Sequence, residues 1–309
     1  MALVFKSVFD DPVAWTKRLQ EQVPGLEVRV WPDVGRVEDV EYVLAWKPEP
    51  GDLKRYPKLK VILSLAAGVD HIFADPHLPK GVPVCRIVDP DLTAQMSEYA
   101  IYGVLHYHRR MPGYVEAQKQ RKWTKLGRGD TANTSVGVMG IGQIGADTAK
   151  KLAALGFQVH GWSRTPKTVP GITCHHGEAG LKPFMAACQY LVCVLPLTDA
   201  TKGILNKKTL AMLPKGAYVI NMARGLHVVD ADLIAALDSG HLAGAMLDVF
   251  FPEPLPADHP YWTHPKVIVT PHIAGDPNPD TAAQQVGENI KRARAGKPLI
   301  NEVNPDAAY

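Results

Sequence analysis

The segment that most constrains this chain is Val136-Gly137-Val138-Met139-Gly140-Ile141-Gly142-Gln143-Ile144-Gly145, a strand-like apolar run that ends in Gly-x-Gly-x-x-Gly. Ala149, Leu152 and Leu155 follow at helical spacing, so the glycines lie between a strand and a helix. Gly140 permits the tight turn, Gly142 lets backbone approach a pyrophosphate with no Cβ in the way, and Gly145 allows helix and strand to pack closely. The helix N-terminus, with Gln143 and Ile144 in its first turn, presents N–H groups to an anion. In this context the motif points to a bound dinucleotide.

The rest of the chain agrees with a sheet built around that turn. Short apolar runs at Gln158 to Trp162, Tyr190 to Leu195, Ala217 to Asn221, Leu242 to Leu247 and Val267 to Thr270 suit strands covered on both faces. Helical stretches separate several of them, at Ile144 to Leu155, Lys207 to Leu213 and Asp230 to Ser239, which predicts a parallel, doubly wound sheet with right-handed crossovers. Ahead of it, Ala2 to Lys6, Pro12 to Gln22, Glu27 to Val30, Val40 to Trp46 and Lys60 to Leu65 read as a smaller α/β unit. After a turn at Asp89-Pro90-Asp91, one helix is expected from Gln95 to about Met111, ended or interrupted by Pro112-Gly113. A last helix from about Asp280 to Ala295 leaves Gly296 to Tyr309 as a tail.

A length of 309 residues fits about two domains. Lys plus Arg number 34 against 31 Asp plus Glu, and no run of basic residues accompanies the net charge of +3, so charge gives nucleic-acid binding no support. No stretch approaches the roughly 18 apolar residues that span a bilayer, and the N-terminus lacks a signal-like apolar core. Cys85, Cys174, Cys188 and Cys193 show no Cys-x-x-Cys spacing and are too sparse for a disulfide framework. A soluble cytoplasmic protein with reduced, mostly buried thiols is expected. His106, His108, His175 and His176 have no third ligand at metal-site spacing and read as helix-face and loop histidines, so no metal is expected.

After the glycine turn the next strand ends in Trp162-Ser163-Arg164-Thr165-Pro166-Lys167, where an NAD-preferring site would place a carboxylate on the ribose diol. No acid is present. Ser163, Arg164, Thr165 and Lys167 offer instead hydroxyls, a guanidinium fork and an ammonium for a 2′-phosphate, which predicts a preference for NADP(H) with NAD(H) possible. Three further strands run into polar residues: Asn221-Met222-Ala223-Arg224-Gly225, Leu247-Asp248-Val249-Phe250-Phe251-Pro252-Glu253-Pro254, and Thr270-Pro271-His272-Ile273-Ala274-Gly275. Hydride addition to a ketone leaves negative charge on oxygen, and His272 suits the proton donor that this requires. Glu253 beside it would favour the imidazolium and fix its tautomer. Arg224 can grip the carboxylate and carbonyl oxygens of a 2-oxo acid.

These motifs, with Ala66-Ala67-Gly68-Val69-Asp70, Leu195-Pro196-Leu197-Thr198, Leu247-Asp248-Val249-Phe250 and Glu253-Pro254-Leu255-Pro256, resemble the D-isomer-specific 2-hydroxyacid dehydrogenases over nearly the whole chain, most of all their bacterial glyoxylate/hydroxypyruvate reductase branch. The resemblance implies NADPH-dependent reduction of small 2-oxo acids such as glyoxylate and hydroxypyruvate, with Arg224, Glu253 and His272 catalytic. It implies a Rossmann cofactor domain (96–278) inserted into a smaller flavodoxin-like α/β substrate domain (1–95 with 279–309), closing on each other to exclude water. Cofactor contacts are expected along Gly140, Gly142, Gln143, Ile144, Gly145, Ser163, Arg164, Thr165, Lys167, Leu195, Pro196, Met222, Ala223, Asp248, Ala274 and Gly275, with Asp248 at the nicotinamide amide. Backbone N–H groups of Ala67 and Gly68 are expected on the substrate carboxylate, with Trp46 lining the pocket beside Arg224 and His272. A homodimer built on the helical region from Gln95 to Arg121 is also implied. Two features depart from the family pattern: the missing ribose carboxylate, and the proline-rich Asp276-Pro277-Asn278-Pro279 after Gly275. A broader-range 2-keto acid reductase is an alternative, as is a dinucleotide-sensing binding protein of the same superfamily; Glu253 argues against a formate dehydrogenase, which carries an amide there.

Overall fold

The apolar runs become the strands of two sheets in the computed structural model, which describes residues 2–127 and 129–304. The first sheet holds β1 (Ala2–Lys6), β2 (Glu27–Val30), β3 (Val40–Ala45), β4 (Val61–Ser64) and β5 (Val84–Cys85) in the order β2-β1-β3-β4-β5. That is the flavodoxin-like order. The second holds β6 (Ser135–Met139), β7 (Gln158–Ser163), β8 (Thr173–His176), β9 (Tyr190–Cys193), β10 (Ala217–Asn221), β11 (Leu242–Leu247) and β12 (Val267–Val269), in the order β12-β11-β10-β9-β6-β7-β8. Every strand pairing in both is parallel.

The chain forms two units. One comprises the described residues of Met1–Leu92 and Asp276–Tyr309, the other Thr93–Gly275. Both boundaries fall three residues before the expected ones, at 92 rather than 95 and at 275 rather than 278. At the second boundary the reason is local. Asn278 accepts a hydrogen bond from the N–H of Asp280 and caps the helix Pro279–Arg294, with Pro279 at its first position, so the proline-rich stretch is a helix start. That helix packs on the helix Pro12–Gln22 and so returns the C-terminal part of the chain to the first unit. The expected tail beyond Asn304 lies outside the described residues.

In the second unit, alternate residues of each strand serve opposite faces of the sheet. Leu191 and Cys193 of β9 join one core cluster with Phe184, Leu233 and Leu247, whereas Tyr190 and Val192 join another with Val104, Leu152 and Met246. Both faces are therefore covered, which explains why these strands read as continuous apolar runs. Two elements escape that criterion. β8 carries Thr173, His175 and His176 on the sheet edge, so the two histidines belong to a strand and not to a loop. The helix Gly177–Ala187 contains Pro183, a breaker in sequence terms. The helix expected from Gln95 begins already at Pro90, because Asp89 accepts from the N–H of Asp91 and the apparent turn is its start. After Arg110, in the left-handed region at φ 57°, a second helix runs over Met111–Lys119 with Pro112 in its first turn. Among the described residues no helix is long and apolar enough to cross a membrane.

Burial pushes the imidazoles of His106, His108 and His160 below the usual value of 6.5, and His175 stands 3.2 Å from His160, adding like-charge repulsion to its protonation. Groups that bind protons more tightly unfolded than folded make stability rise with pH. Stability is thus complete above about pH 7 and declines as the pH falls through 6.5 and below. Thermal unfolding is expected at lower temperature at pH 5.5 than at 7.5, and His160→Gln should narrow that gap.

Candidate active site

The order of the second sheet reverses between β6 and β9, and open α/β sheets bind ligands outside the carboxyl ends of their strands at such a point. The glycine turn lies there. Gly140 adopts φ +113°, a conformation that side chains rarely allow, and its N–H donates to the Trp162 carbonyl at 2.8 Å. A Cβ on Gly145 would sit 1.8 Å from the Gly140 carbonyl oxygen, so helix and turn approach closely. A Cβ on Gly142 would meet nothing within 4 Å. The helix Gln143–Ala154 starts from Gly142 without a side-chain cap, with Gln143 exposed and Ile144 half-buried. An open cradle of backbone at a helix start is what a pyrophosphate requires. The residues present therefore fit a dinucleotide.

At the end of β7 the side chains divide. Ser163 is buried, and its hydroxyl donates to the Thr165 carbonyl at 2.8 Å, so its proton shapes the loop. Arg164, Thr165 and Lys167 are exposed. Arg164 and Lys167 are the cationic side chains of this loop. Leu195 and Pro196 follow β9; Leu195 is buried, and the Pro196 carbonyl accepts from the Thr201 hydroxyl at 2.7 Å.

Arg224, Glu253 and His272 follow β10, β11 and β12, three adjacent strands. Buried Asn221 at the end of β10 accepts from the N–H of Ala223 at 3.2 Å and donates to the Arg224 carbonyl at 3.0 Å, folding the turn that carries the arginine. Met222 and Ala223 are buried beneath it. His227, also buried, accepts the Arg224 N–H on Nδ1 at 3.2 Å and has Nε2 3.3 Å from the Pro196 carbonyl. A carbonyl only accepts, so Nε2 carries the proton and His227 links the Arg224 turn to the loop after β9. The Arg224 guanidinium donates to the Ala223 carbonyl at 2.7 Å. Gly225 abuts the next loop, where a Cβ would lie 2.1 Å from the carbonyl carbon of Phe250.

The same loop positions Glu253. Its Oε1 accepts from the Phe250 N–H at 3.0 Å, and its two oxygens stand 3.1 and 3.0 Å from His272 Nδ1. A carboxylate accepts, so Nδ1 carries the proton of that bond. The imidazole is 29% exposed and the carboxylate 18%, so one ring edge reaches solvent while the partner is shielded. His272 has φ +57°, a left-handed conformation costing a non-glycine residue about 1 kcal/mol. Asp248, fully buried, holds it there. Its carbonyl accepts from the His272 N–H at 2.8 Å, Oδ1 accepts from the Thr270 hydroxyl at 2.6 Å and the Ile273 N–H at 2.9 Å, and Oδ2 accepts from the Ala274 N–H at 2.9 Å. Ala274 is buried and Gly275 half-buried.

Trp46, Ala67 and Gly68 belong to the first unit and follow β3 and β4. Trp46 is half-buried, with its ring 4.4 Å from that of His71 and Lys47 Nζ 5.2 Å above it. Ala67 and Gly68 are half-buried in the turn after β4, where the Ser64 hydroxyl accepts from the N–H of Ala66. The cysteines are free, and burial raises the Cys85 and Cys193 thiols to about 12, which removes them as nucleophiles. Asn221, Gly225 and Thr270 stand in the strand-end segments that the sequence marks, but with no role assigned to them, and His227 carries no sequence signal beyond its closeness to Arg224.

Comparisons with known proteins show the family and the fold. The model of the D-isomer specific 2-hydroxyacid dehydrogenase NAD-binding domain matches residues 101–274. The chain is 40% identical to the glyoxylate/hydroxypyruvate reductase A of Photorhabdus laumondii, over 100% of both chains. Among solved structures, a D-isomer specific 2-hydroxyacid dehydrogenase of Xanthobacter autotrophicus Py2 in complex with NADPH and MES is 45% identical, with a TM-score of 0.95 over 100% of this chain and 99% of that one. An NADPH-dependent glyoxylate/hydroxypyruvate reductase of Sinorhizobium meliloti in complex with NADP and sulfate is 37% identical, with a TM-score of 0.93 over 100% and 99%. Since a methyl at Gly225 collides with backbone, Gly225→Ala should cost about 1–3 kcal/mol in urea unfolding and displace the arginine turn.

Proposed function

The chain belongs to the D-isomer-specific 2-hydroxyacid dehydrogenases, and on that premise we propose that it reduces small 2-oxo acids, glyoxylate and hydroxypyruvate among them, to D-2-hydroxy acids at the expense of NADPH. The observation that carries the reading is the Glu253–His272 pair at 3.0 Å, beside the Arg224 turn at the sheet's carboxyl end. When bound, the nicotinamide cofactor supplies the hydride that reduces the carbonyl carbon. His272, oriented by the Glu253 carboxylate on Nδ1, gives a proton from Nε2 to the carbonyl oxygen as charge builds there. The imidazole left behind keeps its Nδ1 proton, donated to Glu253, and takes up a proton on Nε2 from solvent. Arg224 pairs with the substrate's carboxylate and polarises the carbonyl. The backbone N–H groups of Ala67 and Gly68 bind the same carboxylate, and Trp46 borders the substrate's side chain.

Arg164 and Lys167 take the 2′-phosphate of the cofactor, with Ser163 setting the loop that carries them. The NADPH- and NADP-bound relatives support that preference. Residues 1–92 with the C-terminal part serve the substrate and residues 93–275 the cofactor. The reading includes a homodimer, supported by Tyr102, Met111, Val115 and Trp123, large apolar side chains left exposed on and after the helices Pro90–His108 and Met111–Lys119.

Loss of NADPH absorbance with glyoxylate or hydroxypyruvate tests the activity. His272→Asn should lower kcat by about 10²- to 10⁴-fold and leave NADPH binding within a few-fold. Absence of turnover by the wild type with any small 2-oxo acid overturns the reading in favour of a dinucleotide sensor. Arg164→Ala should reduce the ratio of kcat/KM for NADPH over NADH by about tenfold or more, as expected for loss of a charged phosphate contact. Equal efficiency of the wild type with both cofactors would overturn the NADPH preference.

A further inference from the structure

Tyr99 lies on the helix Pro90–His108, at a position whose helical spacing marks it as a core-facing residue. It is half-buried, and its phenol oxygen stands 2.6 Å from the hydroxyl oxygen of Thr270, 171 residues away. The direction of that bond follows from counting protons. Thr270 has one hydroxyl proton and gives it to Asp248 Oδ1 at 2.6 Å, because a carboxylate can only accept. Tyr99 must therefore donate. Burial and the nearby Asp248 carboxylate raise its pKa, so the phenol stays protonated and the direction holds throughout the working range of pH.

We propose that Tyr99 and Thr270 are positioning residues for proton transfer, a relay in which Tyr99 O–H orients Thr270 O–H onto Asp248 and so fixes the left-handed backbone of His272. The proposal rests on the reading of His272 as proton donor. Asp248 is the junction of the relay. It accepts Thr270 and Ile273 on one oxygen and Ala274 on the other, while its carbonyl accepts His272. The segment from Thr270 to Ala274 is thus held at four points by one residue. Removing the hydroxyl proton of Thr270 frees one carboxylate lone pair, and the carboxylate can then turn toward another donor. The ring of His272 turns with its backbone, and its Nδ1 hydrogen bond to Glu253 weakens. Removing only the Tyr99 hydroxyl leaves the Thr270 hydroxyl without its own donor, free to swing away from Asp248. The two hydroxyls thereby bias the orientation of His272 without touching it, which distinguishes their effect from that of a core contact.

The test compares wild type with Tyr99→Phe, Thr270→Val and Thr270→Ser in NADPH-dependent glyoxylate reduction, alongside ¹⁵N spectra of the His272 imidazole in the cofactor-free protein, assigned with His272→Asn. Tyr99→Phe and Thr270→Val should lower kcat by about 3- to 30-fold, the range expected for one hydrogen bond in a chain ending on a charged group, with KM for NADPH changed less than twofold. Thr270→Ser, which keeps the hydroxyl, should recover most of that loss. In Thr270→Val the His272 Nδ1 resonance should move toward that of an unbonded imidazole. Wild-type kcat in both hydroxyl deletions, equal losses in Val and Ser variants, or an unchanged His272 spectrum in Thr270→Val would overturn the relay. If the wild type reduces no 2-oxo acid the proposed activity falls, while the spectra still decide whether the hydroxyls position His272.

Discussion

A single buried carboxylate organises the site. Asp248 follows β11 and accepts hydrogen bonds from the side chain of Thr270 and the backbone of Ile273 and Ala274, and its own carbonyl takes the N–H of His272. These donors lie in a segment that leaves the sheet immediately after β12. An ionised group with no exposure survives in the interior only when its lone pairs are occupied, and here the same bonds that satisfy it hold an imidazole in a conformation it would not adopt alone. Burial, charge and backbone geometry are solved together.

The remaining machinery attaches to this point through neighbouring strand ends. β10, β11 and β12 lie side by side, so the Arg224 turn, the Glu253 loop and the His272 segment emerge next to one another. The Asp248 N–H donates to the Asn221 carbonyl at 2.9 Å, and Asn221 in turn shapes the arginine turn. Gly225 lets that turn lie against Phe250, whose N–H holds Glu253. His227 ties it to Pro196 after β9, the strand that neighbours the glycine turn. The proposed reacting groups and the glycine turn are thus positioned at the carboxyl ends of one sheet, an arrangement that suits the preorganisation of the proposed hydride transfer.

Much of this was legible in sequence where spacing alone imposes geometry. Gly140, Gly142 and Gly145 announce themselves because a strand, a turn and a helix follow in a fixed local order. Arg224, Glu253 and His272 stand out as polar residues just past apolar runs, and a parallel sheet gathers such ends on one side. The rest depends on pairings that no local pattern encodes. Tyr99 has the spacing of a core residue, and only the fold brings its hydroxyl to Thr270. β8 is an edge strand with polar side chains, so a criterion based on apolar runs passes over it. Ser163 reads as a phosphate ligand, and only the fold shows its hydroxyl on the Thr165 carbonyl two residues ahead.

The most direct trial of the central claim is Asp248→Asn, an exchange of nearly equal volume that turns one acceptor into a donor facing N–H groups. Hydrogen–deuterium exchange at Ile273 and Ala274 should accelerate, and NADPH-dependent glyoxylate reduction should fall by about tenfold or more, as expected when a charged acceptor of several bonds is lost. Wild-type exchange at those two amides together with wild-type turnover would contradict it.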